Sequence, residues 1–458
     1  MKKIRVRTSV AKTGLDLYTN QRKFTLKYPF NIWSSFPKQY KQVLAENLTV
    51  FFTQHLAFWK NYSIIYEFSS PMFVNMFFTG LLMSLPETTI EFEQYKHQTS
   101  SLIKKIFNSQ FDIQYQSAPD VFLADKLILK KSQAIIPFTF GKDSLLTFAL
   151  CQKIGLKPQL FFVEEPFSEL ENQHRRHIYK AFEKIAGYEI NFINNSLGYL
   201  RQRGKEMWGW DMLQLQYAAL LVPYAYKFNA NYLFFSNEKN TNETELDPQG
   251  YIANLYFEQS QQWMMQLNHL YRYFGLATQI GSIISPIYEL MVTYILHKNF
   301  PDIARFQISC QADSSLSKVK RWCGVCNECA RMYLFLRAIG VDPQSVDFKE
   351  DLLNTKRYEI YHIFSQESLN KDVRSVVEYY GEWMLAFWLA SIRGTKGHLI
   401  SLFKKYYLKT VVAQKQKLIN KYLSYHSDLT LPANLRLKIE SIYARAVKDF
   451  KTEITAYF

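Results

Sequence analysis

The sequence predicts an α/β protein: a doubly wound parallel sheet, with an α+β domain before it and an all-helical extension after it. Three observations lead there. Apolar, β-rich runs alternate with stretches of helical periodicity from about residue 126 to 345. The first such unit, Ala134 to Pro166, reads as strand, tight turn, helix and strand, the βαβ crossover of a parallel sheet. Beyond it, 346–458 is helical, aromatic and basic.

Taken in order, 1–125 opens with alternating strands at Lys2–Thr8 and Lys23–Tyr28. Leu44, Leu48, Phe51, Phe52, Leu56 and Trp59 then recur at helical spacing, predicting a helix from Gln39 to about Tyr62. Met72–Leu85 and Glu91–Phe107 read as further helices. No catalytic constellation stands out here, so the region either shapes an acceptor site or packs.

The middle region, 126–345, carries the chemistry. Ala134–Phe138 is a strand and Thr139-Phe140-Gly141-Lys142-Asp143-Ser144 a small polar turn. Leu145, Leu146, Phe148, Ala149, Leu150 and Ile154 follow on a helix, which Gly155 stops. Gln159–Val163 is the next strand. His174–Ala186 is helical, Tyr188–Asn194 a strand, Asp211–Lys227 a helix and Tyr232–Ser236 a strand. Leu399–Leu408, Val411–Leu423 and a run from Leu431-Pro432 to about Ala456 are the C-terminal helices.

The turn at 139–144 sits where a strand's C-terminal end meets a helix N-terminus. Unpaired N–H groups and the helix dipole favour an anion there. Gly141 brings the backbone close to a phosphate, Lys142 adds charge, Ser144 a hydroxyl, and Asp143 holds either the loop or Mg²⁺. The same six residues also suit an ordinary strand-to-helix turn capped by Asp or Ser. They are not a Walker A loop. Ser236, Asn237 and Glu238, at the end of a later strand, face the same sheet edge and are candidates for acceptor or Mg²⁺ contacts; a hydrophilic surface loop reads the same way.

Cys310, Cys323, Cys326 and Cys329 read C-x12-C-x2-C-x2-C, with Cys151 apart in the first helix. Four thiolates close a tetrahedral Zn²⁺ site, Gly324 permits the turn, and no coordination position stays open, so the expected site is structural. An iron–sulfur cluster fits the same ligands. Such a cluster of reduced thiols belongs to a reducing compartment. With no signal-peptide h-region in MKKIRVRTSVAKTG and no apolar run long enough to span a membrane, a cytoplasmic protein is expected.

The chain is 458 residues long and 48% hydrophobic, which is ample for a large core in two or three domains. Sixteen Gly and 14 Pro exclude a linker array or a disordered chain. Lys and Arg exceed Asp and Glu by 15, and 401–458 holds 11 basic against 4 acidic residues. That excess suits nucleic acid, an acidic membrane or a nucleotide substrate, and equally a solvated helix face.

Thr139-Phe140-Gly141-Lys142-Asp143-Ser144 resembles the S-G-G-x-D-S loop of the PP-loop ATP pyrophosphatases, the adenine nucleotide α-hydrolases. Thr139 stands for Ser and Phe140 for the first Gly. Joined to the Ser309-Cys310…Cys323-Gly324-Val325-Cys326-Asn327-Glu328-Cys329 pattern, it is similar to the 7-cyano-7-deazaguanine synthases. The longer chain more resembles the UDP-N-acetylmuramoyl-L-alanyl-L-glutamate epimerases, through Phe234–Asn242 (FFSNEKNTN), Tyr256–Ser260, Ser285–Leu290 (SPIYEL) and Trp322–Cys329. Thr241 stands where that family has Ala.

The resemblance implies ATP bound by Thr139 to Ser144 with Ser236 and Asn237, and Mg²⁺ at Asp143. It implies Lys142, Asp143, Ser144 and Glu238 in catalysis, and adenylation of a substrate carboxylate with release of pyrophosphate. The acceptor would be the terminal glutamate of a nucleotide-sugar peptide, epimerised after activation, or a deazaguanine carboxylate taken to amide and nitrile. Glu238, Glu289 and His269 are the candidate acid–base groups. A non-catalytic nucleotide- or nucleic-acid-binding relative is the alternative.

Overall fold

Two five-stranded sheets organise the chain. The computed structural model describes residues 2–20, 22–58, 62–117, 132–201, 212–310, 315–318, 320–354 and 358–457. The expected boundary near residue 125 and the start of the Asp211 helix lie outside these.

The first sheet is built from β1 (Lys2–Ala11), β2 (Gly14–Thr19), β3 (Arg22–Lys27), β4 (Tyr62–Tyr66) and β5 (Ile113–Tyr115), in the order β3-β2-β1-β4-β5. β1, β2 and β3 pair antiparallel; β4 and β5 join in parallel. Helix α1 (Lys38–Thr53) packs on it. The helix expected to reach Tyr62 stops at Thr53. Gln54–Phe58 is a 3₁₀ turn, and Tyr62 instead opens β4, where the β-prone Tyr-Ser-Ile-Ile-Tyr run gains a ladder with β1. Trp59 lies outside the described residues. The helix expected over Glu91–Phe107 starts only at Thr99 and runs to Ser109, because His97 takes a left-handed φ of 60° that no α-helix accommodates; Leu85–Glu91 is a separate short helix before it.

The second sheet is fully parallel. Its strands are β6 (Gln133–Pro137), β7 (Lys157–Glu164), β8 (Ile190–Asn194), β9 (Tyr232–Phe234) and β12 (Gln279–Gly281), in the order β12-β9-β6-β7-β8; β10 (Thr244–Leu246) and β11 (Ile252–Asn254) form a separate hairpin. The crossovers are α2 (Lys142–Lys153), α3 (Glu169–Ala186), α4 (Leu213–Phe228) and α5 (Gln261–Tyr273).

Strand side chains alternate between two cores, as a period of two requires. Ala134, Ile136, Leu160, Phe162, Tyr232 and Phe234 join one. Ile135, Phe161, Val163, Leu233 and Phe235 join the other. The first core also takes in α2, α3 and the helices that follow: α6 (Glu289–Asn299), α7 (Asn327–Ala338), α8 (Gly381–Ile392), α9 (Leu408–Tyr422) and α10 (Ala433–Thr455). The second includes α4, α5 and the whole first sheet. The N-terminal region therefore shares its core with one face of the parallel sheet, and the C-terminal helices with the other. None of the described helices is long and apolar enough to cross a membrane.

The chain runs β6 to β7 to β8 in one direction, then returns past β6 to β9 and β12. Strand order reverses between β6 and β9, so the loops leaving their C-terminal ends diverge around a crevice. In open parallel sheets that crevice is where ligands bind.

Candidate functional site

The loop after β6 reaches this crevice with an unusual backbone. Phe140 has φ of 60°, the left-handed region that suits glycine. Its ring turns away from the crevice and is buried, with centroids 4.9 Å from Phe138 and 5.4 Å from Phe182. The position thus keeps a glycine-like backbone while its side chain serves the core. Gly141 has an ordinary φ of −65°, so conformation does not require glycine there. A Cβ at this position would project between Thr139 Oγ1 at 3.4 Å and Ser309 Oγ at 4.0 Å. Both residues line the cavity, so the bare Cα leaves that space open.

The cavity measures about 550 Å³. Thr139, Gly141, Lys142 and Asp143 form one side, and Ser236, Glu238, Asn240 and Thr241 from the loop after β9 another. Ser309, Glu328 and Arg331 close it from the cysteine-bearing segment.

Lys142 is the centre of its charge network. The ammonium lies 2.8 Å from both Asp143 carboxylate oxygens, 3.4 Å from Glu238 Oε2 and 3.1 Å from Glu289 Oε1. Arg331 Nε is 3.1 Å from the same Glu289 oxygen, and its Nη2 donates to Glu328. Burial disfavours the Lys142 cation, but Asp143, Glu238 and Glu289 hold its pKa well above the ordinary lysine value. Burial also lifts Glu238 well above the carboxylate range, against the pull of Lys142 and with the help of Asp143 and Glu289.

The remaining expected residues divide clearly. Ser236 lines the cavity. Ser144 is buried, its hydroxyl donating to the Gly141 carbonyl and accepting from the Thr139 N–H, so it braces the loop. Asn237 is buried in amide pairing with Gln214 and donates to the Gln259 carbonyl, so it braces the second loop. His269 is exposed on α5 and lines neither cavity described here.

Comparison with protein-family models, curated proteins and solved structures gives no match.

The cysteines come together from two segments. The Sγ atoms of Cys310, Cys323, Cys326 and Cys329 lie within 4.8 Å of one another, at 3.7 Å for Cys323–Cys329 and 3.4 Å for Cys326–Cys329. Tetrahedral Zn–S bonds of about 2.3 Å place sulfurs roughly 3.8 Å apart, so this donor set fits a metal such as zinc. Hydrogen bonding among the four pulls the Cys323 thiol far down and pushes Cys310 and Cys329 up, the imbalance of a cluster that favours a thiolate. The cluster also builds two cavity walls. Ser309, next to Cys310, accepts the Lys142 N–H at 3.3 Å, and Ile308 N–H donates to the Phe140 carbonyl at 2.8 Å. On the other side, the Cys326 sulfur caps α7, whose first turns carry Glu328 and Arg331.

Sequence reasoning missed Arg175, Ser309 and Arg331. Arg175 lies on α3, 4% exposed, and lines the cavity. Its Nη2 donates to the Cys310 carbonyl at 3.0 Å and lies 3.4 Å from Glu171. Nε and Nη1 have no hydrogen-bond partner among the described residues. The Gln-His-Arg-Arg-His run around it reads as a solvated helix face, and only the docking of α3 on the Cys310 segment turns one arginine inward.

A second cavity of about 620 Å³ shares Asn240, Tyr256 and Arg331 with the first. The C-terminal helical region supplies Glu378, Tyr379, Tyr380, Glu382 and Trp383, and α9 gives Lys421 and Tyr422. Its acidic lining (Glu243, Glu245, Glu289, Glu378 and Glu382) outnumbers Lys421 and Arg331.

Proposed function

We propose that this chain is an ATP-dependent adenylating enzyme with a doubly wound fold of PP-loop type. The observation that carries the reading is the loop from Thr139 to Asp143. It leaves β6 at the strand-order reversal, holds Phe140 in a glycine-like conformation, and opens onto a cavity that a carboxylate-bearing loop also lines.

In this reading the phosphates of ATP lie against the loop at Gly141 and the start of α2, where the helix dipole favours negative charge. An acceptor carboxylate attacks the α-phosphorus from the adjoining cavity, an acyl–adenylate forms, and pyrophosphate leaves. Lys142 keeps Asp143, Glu238 and Glu289 in place and offsets their mutual repulsion. Asp143 has the most exposed carboxylate of the three and would hold Mg²⁺, which when bound neutralises phosphate charge. Glu238 and Glu289, both buried beside Lys142, stand as the candidate acid and base. The metal at the four cysteines is structural, fixing the Ser309 and Arg331 walls.

The resemblance makes the terminal glutamate of UDP-N-acetylmuramoyl-L-alanyl-L-glutamate the first acceptor to test. One observation favours a deazaguanine carboxylate instead. The second cavity is walled by Tyr256, Tyr379, Tyr380, Trp383 and Tyr422 and is rich in carboxylates, which suits a flat base with N–H donors better than a polyanion.

The deciding experiment follows ATP products with Mg²⁺ and each acceptor in turn. AMP and pyrophosphate formed only with one acceptor, and lost in Asp143→Ala, would establish the reaction and its substrate together. ATP left intact with both, or an AMP yield unchanged by Asp143→Ala, would refute it.

A further inference from the structure

We propose that Arg175, rather than Lys142, is the cation that receives a phosphoryl oxyanion in the first cavity. The identification of that oxyanion as the β,γ end of ATP rests on the adenylation reading; the anion site itself does not.

A guanidinium that is 4% exposed is expensive to leave partly unpaired. Arg175 spends Nη2 on the Cys310 carbonyl and sits only loosely against Glu171 at 3.4 Å. Nε and Nη1, on different edges of the guanidinium, have no partner among the described residues although the side chain lines a cavity. Phosphoryl oxygens, each accepting one charge-assisted hydrogen bond, are groups that satisfy such donors. Lys142 cannot do this without abandoning the three carboxylates that surround it.

The cavity is also polarised. Asp143, Glu238 and Glu328 line one part of it, and Lys142 and Arg331 are already paired to carboxylates there. Arg175 and the start of α2, a helix of 12 residues, supply the positive remainder. Phosphoryl oxygens are thereby directed to the Arg175 side, where Glu171 is the carboxylate that competes with them. The hydrogen bond to the Cys310 carbonyl ties this receptor to the cysteine cluster, so the metal knot sets where the anion sits.

The test uses the full-length chain and inorganic pyrophosphate, with titration calorimetry and thermal melting as readouts. Wild-type protein should bind pyrophosphate at low ionic strength and melt higher in its presence. Arg175→Met should weaken binding at least tenfold and abolish the melting shift, while melting without pyrophosphate no lower than wild type, because a half-satisfied buried charge has been removed. Arg175→Lys should recover part of the affinity.

Glu171→Gln gives a second route if Arg175→Met does not fold. Removing the competing carboxylate should tighten pyrophosphate several-fold, and Glu171→Gln combined with Arg175→Lys should lose most of that gain. Wild-type protein that binds no pyrophosphate at millimolar concentration overturns the proposal. So does an Arg175→Met variant that binds within threefold of wild type.

Competition then separates the sources of the oxyanion. ATP that displaces pyrophosphate, where AMP does not, assigns the site to the nucleotide's polyphosphate end. Pyrophosphate binding that depends on Arg175 in a protein that never forms AMP keeps the anion site and discards adenylation. AMP formation unaffected by Arg175→Met does the reverse.

Discussion

Replacing Phe140 tests the least expected feature of the loop. Truncation to alanine removes a buried ring from an aromatic cluster with Phe138 and Phe182, a change that destabilises by about 3–5 kcal/mol. Truncation to glycine removes the same ring but relieves the φ of 60°, worth about 1–2 kcal/mol for an L-residue. Glycine's freer unfolded chain gives back about 0.4–1 kcal/mol of this. Phe140→Gly should therefore come out about 0.5–1 kcal/mol more stable than Phe140→Ala, which inverts the usual order of the two residues. Urea denaturation followed by far-UV circular dichroism measures both. Because the ring faces the core, both folded variants should bind pyrophosphate within threefold of wild type at 10–15 °C or roughly that range, below their transitions. Alanine more stable than glycine by about 0.5 kcal/mol or more would refute the strained-backbone argument. Loss of binding in a demonstrably folded variant would refute the claim that the ring leaves the cavity alone.

Three further predictions follow from the structure. The protein as purified should release one equivalent of metal on treatment with a thiol-modifying reagent, and Cys326→Ser should lower both that yield and the melting temperature; an unchanged metal content would show that the cluster does not hold it. Burial, with the Glu289 carboxylate nearby, pushes Glu382 up to about 8 from an ordinary 4.5. The folded state then holds a proton that the unfolded state has lost, so this group's contribution to stability is full below pH 4.5 and declines as pH rises through about 8. Glu382→Gln keeps an acceptor for the Leu290 N–H and should flatten that decline, by up to about 1.4 kcal/mol per pH unit; parallel stability–pH curves would contradict the assignment. Glu165 makes a two-pronged bridge to the fully buried Arg201 at 2.7 and 2.9 Å and accepts from Tyr217 and Asn195. Glu165→Ala strands that guanidinium and should destabilise by about 3–5 kcal/mol in chemical denaturation, whereas a loss under about 1 kcal/mol would mean solvent reaches Arg201.

Much of this protein is written locally. The apolar, β-rich run Ala134–Phe138, the turn after it and the helix ended by Gly155 are short-range patterns, and the structure follows them within a residue or two. The four cysteines are legible for the same reason, since thiol chemistry and close spacing leave few alternatives. Helix ends were less so. The Tyr62–Tyr66 run became a strand only because β1 lay beside it, and a partner strand is not visible from sequence periodicity. What only the tertiary structure decided is which way side chains face once distant segments meet. Lys142, a phosphate ligand by position, is enclosed by Asp143 beside it and by Glu238 and Glu289 from 96 and 147 residues away in sequence, because the parallel sheet carries both later segments to the same edge. Phe140 was a bulky residue in a glycine's place until its backbone turned left-handed and its ring joined the core. Arg175 had no signature at all on a polar helix. It became an inward-facing guanidinium with unpaired donors when α3 packed against the segment that carries Cys310, since electrostatics and burial are properties of the assembled crevice and not of any stretch of chain that forms it.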